Sequence, residues 1–229
     1  MNILYLDSST EACTAGVAVD GRTVSAFEVA PRGHARLLLP MAEDLLSSAG
    51  IGFADLDLVG FGRGPGSFTG VRIATAMAQG IAIARDLPLV PVSSLECLAV
   101  GARERFRSES GAGHGTAGIE IRVAIDARMG EIYRASYLAA DEATIEPILA
   151  EAVVEPGFPS PELDRVIAAG SGFGRYPELL DIPGLLAGYD DALPHAEDAL
   201  RLVAATDREA WIAPDEAVPH YLRDNVTGP

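Results

Sequence analysis

The 229-residue chain contains no lysine; all 17 of its basic residues are arginine. That excludes Schiff-base chemistry, a lysine general base and a Walker-type phosphate lysine. Cysteine is almost as scarce. Cys13 and Cys97 are too few for a disulfide framework and point to a reducing compartment. Cys13 reads as a small buried hydrophobe rather than a nucleophile. The four histidines, His34, His114, His195 and His220, lie far apart and form no H-E-x-x-H pair. His114 reads as a solvated loop residue. There is no G-x-S-x-G elbow, since Ser67 and Ser171 both lack the flanking glycines. No apolar run reaches the roughly 18 residues that a membrane span needs. The N-terminus opens directly as an apolar strand without a basic flank, so no export signal is expected and the expected location is cytoplasmic. Positive charge is also short: 33 acidic residues leave a net charge of -16. Such a surface repels a phosphate backbone, and tight nucleic-acid binding by this chain alone is not expected.

What is present is an apolar fraction of 48%, enough for a substantial core. "NILYLDSS" reads as a buried strand ending in a polar turn. "ACTAGVAVDGRTVSAFEVA" follows as two strands, with Asp20-Gly21 as the hairpin dipeptide. A helical pattern runs from about His34 to Ser48, with Gly50 as its stop. "LDLVGFG" is another strand. Ser67 can cap a helix running to about Arg85. "PLVPVSS" is the next strand, and Ser94 opens a third helix. The polar, glycine-rich stretch 103–118 reads as a loose connection.

The opening pattern then returns. "IRVAIDARMGEIYRASYLA" is a strand ending in Asp126, a turn, and a second strand. Setting Asp126 on Asp7 places Tyr133 on Thr14. "RVIAAGSGFGRYPELL" repeats the strand, glycines and helix that start near Phe61. The repeat implies an α/β protein of two related lobes, 1–102 and 103–229, each a mixed sheet flanked by helices. This is the actin-like (ASKHA, ribonuclease H-like) architecture of actin and sugar kinases, in which the hairpin of each lobe approaches nucleotide phosphates.

"GFGRGPGSFTGVR", from Gly60 to Arg72, holds five glycines. It fits neither G-x-x-x-x-G-K-[ST] nor G-x-G-x-x-G, and Pro65-Gly66 is a turn dipeptide, so a structural turn is favoured over a phosphate cradle. Asp7 and Asp126 would face hydrated magnesium in a nucleotide site, with Ser8 and Ser9 beside Asp7. An Asx turn explains Asp7-Ser8-Ser9 equally simply, and no catalytic base accompanies the pair. In the helix after the glycine loop, Ile73, Met77, Ile81 and Ala84 form the stripe expected to face the sheet. The opposite stripe, Phe68, Arg72, Thr75, Gln79 and Ala82, with Ala78 beside it, lacks the charge of a solvated face. In the preceding helix Leu37, Leu38 and Leu39 cannot all point to one core. A protein interface is therefore expected on Leu38, Leu39, Ala42, Leu46, Phe68, Arg72, Thr75, Ala78, Gln79 and Ala82.

"LDSSTEACTAGVAVDG", "GRGPGSFTGVRIATAMAQG", "VAIDARMGEIYRASY" and "VPHYLRD" together resemble the TsaB (YeaZ) family over nearly the whole chain. The resemblance implies a cytosolic, two-lobe accessory subunit that pairs with a related catalytic subunit, TsaD. With TsaE and a synthase of threonylcarbamoyl-AMP, the system modifies an adenosine beside the tRNA anticodon. The TsaD-type subunit carries a metal-binding V-N-H-L-E-G-H. The equivalent stretch here is Val92-Ser93-Ser94-Leu95-Glu96-Cys97-Leu98, with Ser94 and Leu98 where the ligand histidines stand. Serine is a poor ligand and leucine none, so no metal and no catalytic residue are expected. The chain is expected to need no cofactor, with at most weak ATP or ADP binding at Asp7, Ser8, Ser9 and Asp126. It is expected to form a homodimer when alone, and to meet tRNA only through the complex. The alternatives are an ATP-dependent kinase or ATPase of the same fold, and a glycoprotease-like metallopeptidase. The charge balance makes a direct prediction: a filter-binding assay at physiological salt retains tRNA only weakly on the isolated chain. Tight, salt-sensitive retention would reveal a basic patch and overturn this reading.

Overall fold

The computed structural model describes residues 1–111 and 115–223; His114 lies outside them. Two compact units are present. The first is Met1–Cys97 with Pro194–His220, and the second is Leu98–Leu193 with the chain from Tyr221. The division expected at 102 thus falls inside a helix, between Cys97 and Leu98, and residues 194–220 belong to the first unit.

The first unit begins with β1 (Ile3–Asp7), β2 (Ala12–Val19) and β3 (Arg22–Val29), a meander turned by Asp20 and Gly21 at positive φ. Helix α1 (His34–Ser48), strand β4 (Leu58–Gly64), helix α2 (Phe68–Arg85) and strand β5 (Leu89–Ser93) follow, and helix α3 (Ser94–Ser110) leads into the second unit. The sheet order is β3-β2-β1-β4-β5, antiparallel across the meander and parallel from β1 to β5. A buried central strand is apolar on both faces, and β1 shows it. Leu4 and Leu6 join Leu38, Ala42 and Leu46 of α1 and Ala74, Ala78 and Ala82 of α2. Ile3 and Tyr5 point the other way, onto Ala196, Ala199, Leu200 and Val203.

Those four residues lie on α5 (Ala196–Ala205), which returns from the far end of the chain and covers the second face. Its apolar stripe must be buried, and the first sheet supplies the surface. The helix is fastened at its start. Ala196 N donates to Thr14 Oγ1 at 3.1 Å, and His195 Nδ1 accepts from Glu197 N at 3.3 Å. The His195 ring stacks on Phe27 at 5.0 Å, and burial lowers its pKa. Glycine lets the helix lie close: a Cβ on Gly60 would be 2.5 Å from Val203 Cγ2.

The second unit repeats the order. Strands β6 (Ile119–Arg128), β7 (Glu131–Ala139) and β8 (Ile145–Val154) form a meander, followed by β9 (Val166–Ala169), the short α4 (Ser171–Arg175) and β10 (Leu185–Tyr189). Its sheet runs β10-β9-β6-β7-β8, again antiparallel in the meander and parallel beyond it. Two units of one five-stranded topology are the actin-like architecture expected from the repeat. In detail the alignment is one residue out. Asp7 faces Thr14, whereas Asp126 faces Ile132, because the second hairpin is the shorter.

Two further expectations are corrected. The loose connection at 103–118 is helical as far as Ser110. Phe106 and Ala102 are buried there, and ion pairs Arg105–Glu109 and Arg107–Glu104 at helical spacing support it. In α2 the side against the sheet is Val71, Ala74, Thr75, Ala78 and Ala82. Ile73, Met77 and Ile81 flank it half-buried, and Ala84 is exposed. Small residues face the sheet because they let the helix approach it closely. Gly60→Ala is expected to lower stability by about 1–3 kcal/mol through overpacking against Val203 and Tyr5, read by urea unfolding; an unchanged midpoint would show that α5 can give way.

Candidate functional site

The turn after β1 and the glycine loop after β4 are built against each other. The Asp7 carboxylate accepts from Ser9 N at 2.6 Å and from the Tyr5 hydroxyl at 3.1 Å. Ser8 Oγ donates to Gly70 O at 2.8 Å, and Ser9 Oγ shares a hydrogen bond with Ser94 Oγ at 2.8 Å. Ser67 N donates to Ser9 O at 2.6 Å, and Ser67 Oγ caps α2 by accepting from Gly70 N. Glycine is required at three points for close approach. A Cβ on Gly62 would be 2.3 Å from the Asp7 carboxyl carbon, one on Gly66 2.1 Å from Ser9 O, and one on Gly70 1.9 Å from Ser8 O. The loop is therefore a strand-to-helix turn seated directly on residues 7–9.

Asp7, Ser8 and Ser9 are all buried. Burial raises the Asp7 pKa against the opposing pull of its bonds to Ser9, Tyr5 and Ser8. The Tyr5 hydroxyl is pushed up in turn, by burial first and then by Asp7. These groups spend their hydrogen bonds on their own chain rather than presenting oxygens outward.

Asp126 is in the second unit. Its backbone N–H donates to Ser171 Oγ at 3.2 Å, and its carboxylate accepts from Arg128 N and pairs with the Arg128 guanidinium, both at 2.9 Å. The β6–β7 tip carries Arg128, Met129 and Gly130 in succession at positive φ. Arg223 holds it, bonding to the Glu131 carboxylate, to Ala127 O at 3.2 Å and to Met129 Sδ at 3.2 Å. The stretches "DARMGEIY" and "YLR" thus meet, a contact that nothing in their separate spacing disclosed.

Of the ten residues expected at an interface, Leu38, Ala42, Leu46, Thr75, Ala78 and Ala82 are buried in the first unit. They are core residues, since α1 and α2 pack side by side on the sheet. Gln79 is also committed, its amide donating to Pro214 O at 2.9 Å and Ala217 O at 3.0 Å. Leu39, Phe68 and Arg72 remain at the surface. Arg72 folds back over the Phe68 ring at 3.3 Å and donates to Phe68 O. Continuing from them, Ala76, Gly80 and Ile83 are exposed, Ile83 by 68%. Residues 68, 72, 76, 80 and 83 fall on one side of α2, an outward stripe without an acidic group. The sequence pattern reads a helix of little charge; Phe68 and Arg72 of its expected outward stripe are at the surface, whereas Thr75 and Ala82 of that stripe are inside and Ala84 of the expected inner stripe is exposed.

At the two positions that the resemblance sets against the TsaD-type ligand histidines, Ser94 is spent on Ser9 and Leu98 is a buried apolar residue. Among the described residues no group of three or more His, Cys, Asp or Glu is placed to hold a metal ion.

The family model described as TsaD, tRNA N6-adenosine threonylcarbamoyltransferase, matches residues 27–176. The tRNA threonylcarbamoyladenosine biosynthesis protein TsaB of Escherichia coli is 37% identical over 99% of this chain and 96% of its own length. The threonylcarbamoyltransferase of Erythrobacter litoralis is 31% identical, over only 44% of this chain and 34% of its own. The solved structure titled YeaZ from Pseudomonas aeruginosa superposes with a TM-score of 0.84 at 38% identity, covering 96% of this chain and 99% of that one.

The buried carboxylate generates a pH test. Because the folded-state pKa of Asp7 is raised, the native state holds this proton more tightly than the unfolded chain. The ionised form is then a net cost at neutral pH, and that cost fades as pH falls towards the unfolded value of about 4. Asp7→Asn keeps an oxygen for Ser9 N and removes the charge. It is expected to be at least as stable as the parent at neutral pH, and to lose that advantage on acidification. Denaturant unfolding across pH reads this; an advantage that grows in acid would overturn it.

Proposed function

Because the chain belongs to the TsaB (YeaZ) family of tRNA threonylcarbamoyladenosine biosynthesis proteins, we propose that it is the non-catalytic scaffold and activator subunit of that system. It pairs with a TsaD-type catalytic subunit in the cytoplasm. The observation that carries the division of labour is the state of positions 94 and 98. The resemblance sets them against metal-ligand histidines, and here one is a serine bonded to Ser9 and the other a buried leucine. On this reading the chain needs no metal or cofactor of its own, holds ATP or ADP weakly at most, meets a TsaE-type ATPase within the assembly, and meets tRNA only there. The saturated Asp7 turn gives no support to a kinase or ATPase reading.

The pairing surface on this reading is the outward stripe of α2, Phe68, Arg72, Ala76, Gly80 and Ile83, with Leu39 of α1. Small residues at 76 and 80 let a partner helix approach closely, and the apolar groups at either end anchor it. The same face can close a two-fold homodimer when the partner is absent. A stable pair buries on the order of 1,600 Å² in total.

Ala76→Arg and Ile83→Glu each put a charge on this stripe without entering the core. Each is expected to weaken pairing with the TsaD-type subunit more than about tenfold, the effect of an unpaired charge in a contact. Modification should fall to the level seen when this subunit is omitted. Pull-down, light scattering and a tRNA modification assay read this, with circular dichroism as the folding control. A variant that stays folded and pairs normally would remove α2 from the interface.

A further inference from the structure

In the second unit, one face of the β6–β7 pair carries a polar cluster that is not closed by its own side chains. Arg122 and Ser136 are opposite each other in the register, and Arg134 lies two residues from Ser136 on the same strand face. Arg122 is neutralised: its Nε donates to Glu120 Oε1 at 2.7 Å, and Glu120 Oε2 accepts from Glu162 N at 2.8 Å. Among the described residues Arg134 has no carboxylate partner; its guanidinium donates to Gly157 O. Two buried polar atoms here have no partner at all, Arg134 Nε and Ser136 Oγ, and Ser136 is only 2% exposed.

Three further facts concern the same spot. The Phe158 ring stacks on Phe173 at 5.7 Å and has both guanidinium groups near it, Arg122 at 5.1 Å and Arg134 at 5.6 Å. The two cations therefore converge under one half-buried loop. Burial, and then the Arg122 charge, lowers the Arg134 pKa. Strand β8 breaks register twice alongside. Arg134 faces Ala152, Ser136 faces Leu149 and Tyr137 faces Pro147, so β8 spends extra residues beside the orphaned atoms. Bulges of this kind locally re-aim side chains and concentrate near binding sites.

We propose that Arg134 and Ser136, backed by Arg122, bind one small oxyanion beneath the Gly157–Phe158 loop. The occupant must accept from the Arg134 Nε–H, satisfy the Ser136 hydroxyl and balance one uncompensated positive charge. Water meets the first two demands and fails the third. A phosphate or a carboxylate oxygen pair meets all three, and charge-assisted bonds to a guanidinium are the strong kind. Binding would tie β7 to the loop through both Arg134 and the bound anion.

The test titrates the whole chain with inorganic phosphate and, separately, with acetate, against a chloride background of constant ionic strength. Calorimetry and the thermal midpoint are the readouts. Saturable binding of either anion is expected, and the tighter probe identifies the chemistry as phosphate or carboxylate. Ser136→Ala should weaken it about fivefold, the worth of one net hydrogen bond, and Arg134→Met should abolish it. Ser136→Ala deletes a single oxygen, and the parent titration needs no variant, so an Arg134 variant that fails to fold does not block the test. No saturable response to either anion at tens of millimolar would overturn the proposal. So would binding that survives both substitutions, or a crystal grown in phosphate with only water between Arg134 Nε and Ser136 Oγ.

Discussion

The first unit depends on backbone meeting backbone where the glycine loop rests on the turn after β1. Gly66 lies against the Ser9 carbonyl and Gly70 against that of Ser8, with no room for a side-chain carbon at either point. This contact fixes where α2 begins, since Ser67 is bonded to Ser9 and caps the helix in the same turn. The start of α2 then fixes its rotation, and with it which residues meet the sheet, which reach the C-terminal segment through Gln79, and which look outward. An insertion in the loop would rotate all three at once. Phosphate-binding loops use glycine to bring backbone N–H groups to a ligand; here the same residue type brings the loop to its own chain.

Packing along α2 follows from the same economy of volume. Alanine and threonine on the inner side let the helix settle low on the sheet, and the bulk of Ile73, Met77 and Ile81 goes to the flank. The outer side is left with small residues at 76 and 80, apolar groups at 68 and 83, and Arg72 folded over Phe68. A surface helix ordinarily spends that side on solvation. One that does not is better suited to a second helix than to water, which is the use proposed for it above.

Much of this architecture is legible in the sequence. The limits of α1 and α2, the Asp20-Gly21 hairpin and the repeated meander all follow local rules of spacing, capping and turn chemistry. What escaped is what depends on distant partners. α2 is apolar all round, so periodicity could not say which side is inside; the sheet decides it, by favouring the smaller residues. The polar run after Ala102 reads as a loop because Gly111 and the glycines after it dominate its composition, while Phe106 and the Arg–Glu spacing are its signals for helix. Arg134 and Ser136 look like an ordinary exposed stripe of an alternating strand. Ser136 is nevertheless buried, and Arg134 is half-covered through Gly157 and Phe158, which no local pattern announces. The Asp7 turn was legible as an Asx turn, but its fit to Gly62, Gly66 and Gly70 is a matter of tenths of an ångström between segments some sixty residues apart.

The return of α5 to the first unit has a consequence for the order of synthesis. When β5 has left the ribosome, one face of the first sheet can already be covered by α1 and α2. The other face, with Ile3, Tyr5, Leu58 and Val90, has no cover until residues 196–203 emerge. In the interval residues Leu98–Leu193 of the second unit are made. The nascent chain therefore carries an open apolar face through nearly half of its translation, a condition that invites chaperone binding and premature association. Closure joins the last third of the chain to its first strand, so this step sets the sequence separation that slows folding. The unit that is begun first thus waits for the body of the second before its own core can close.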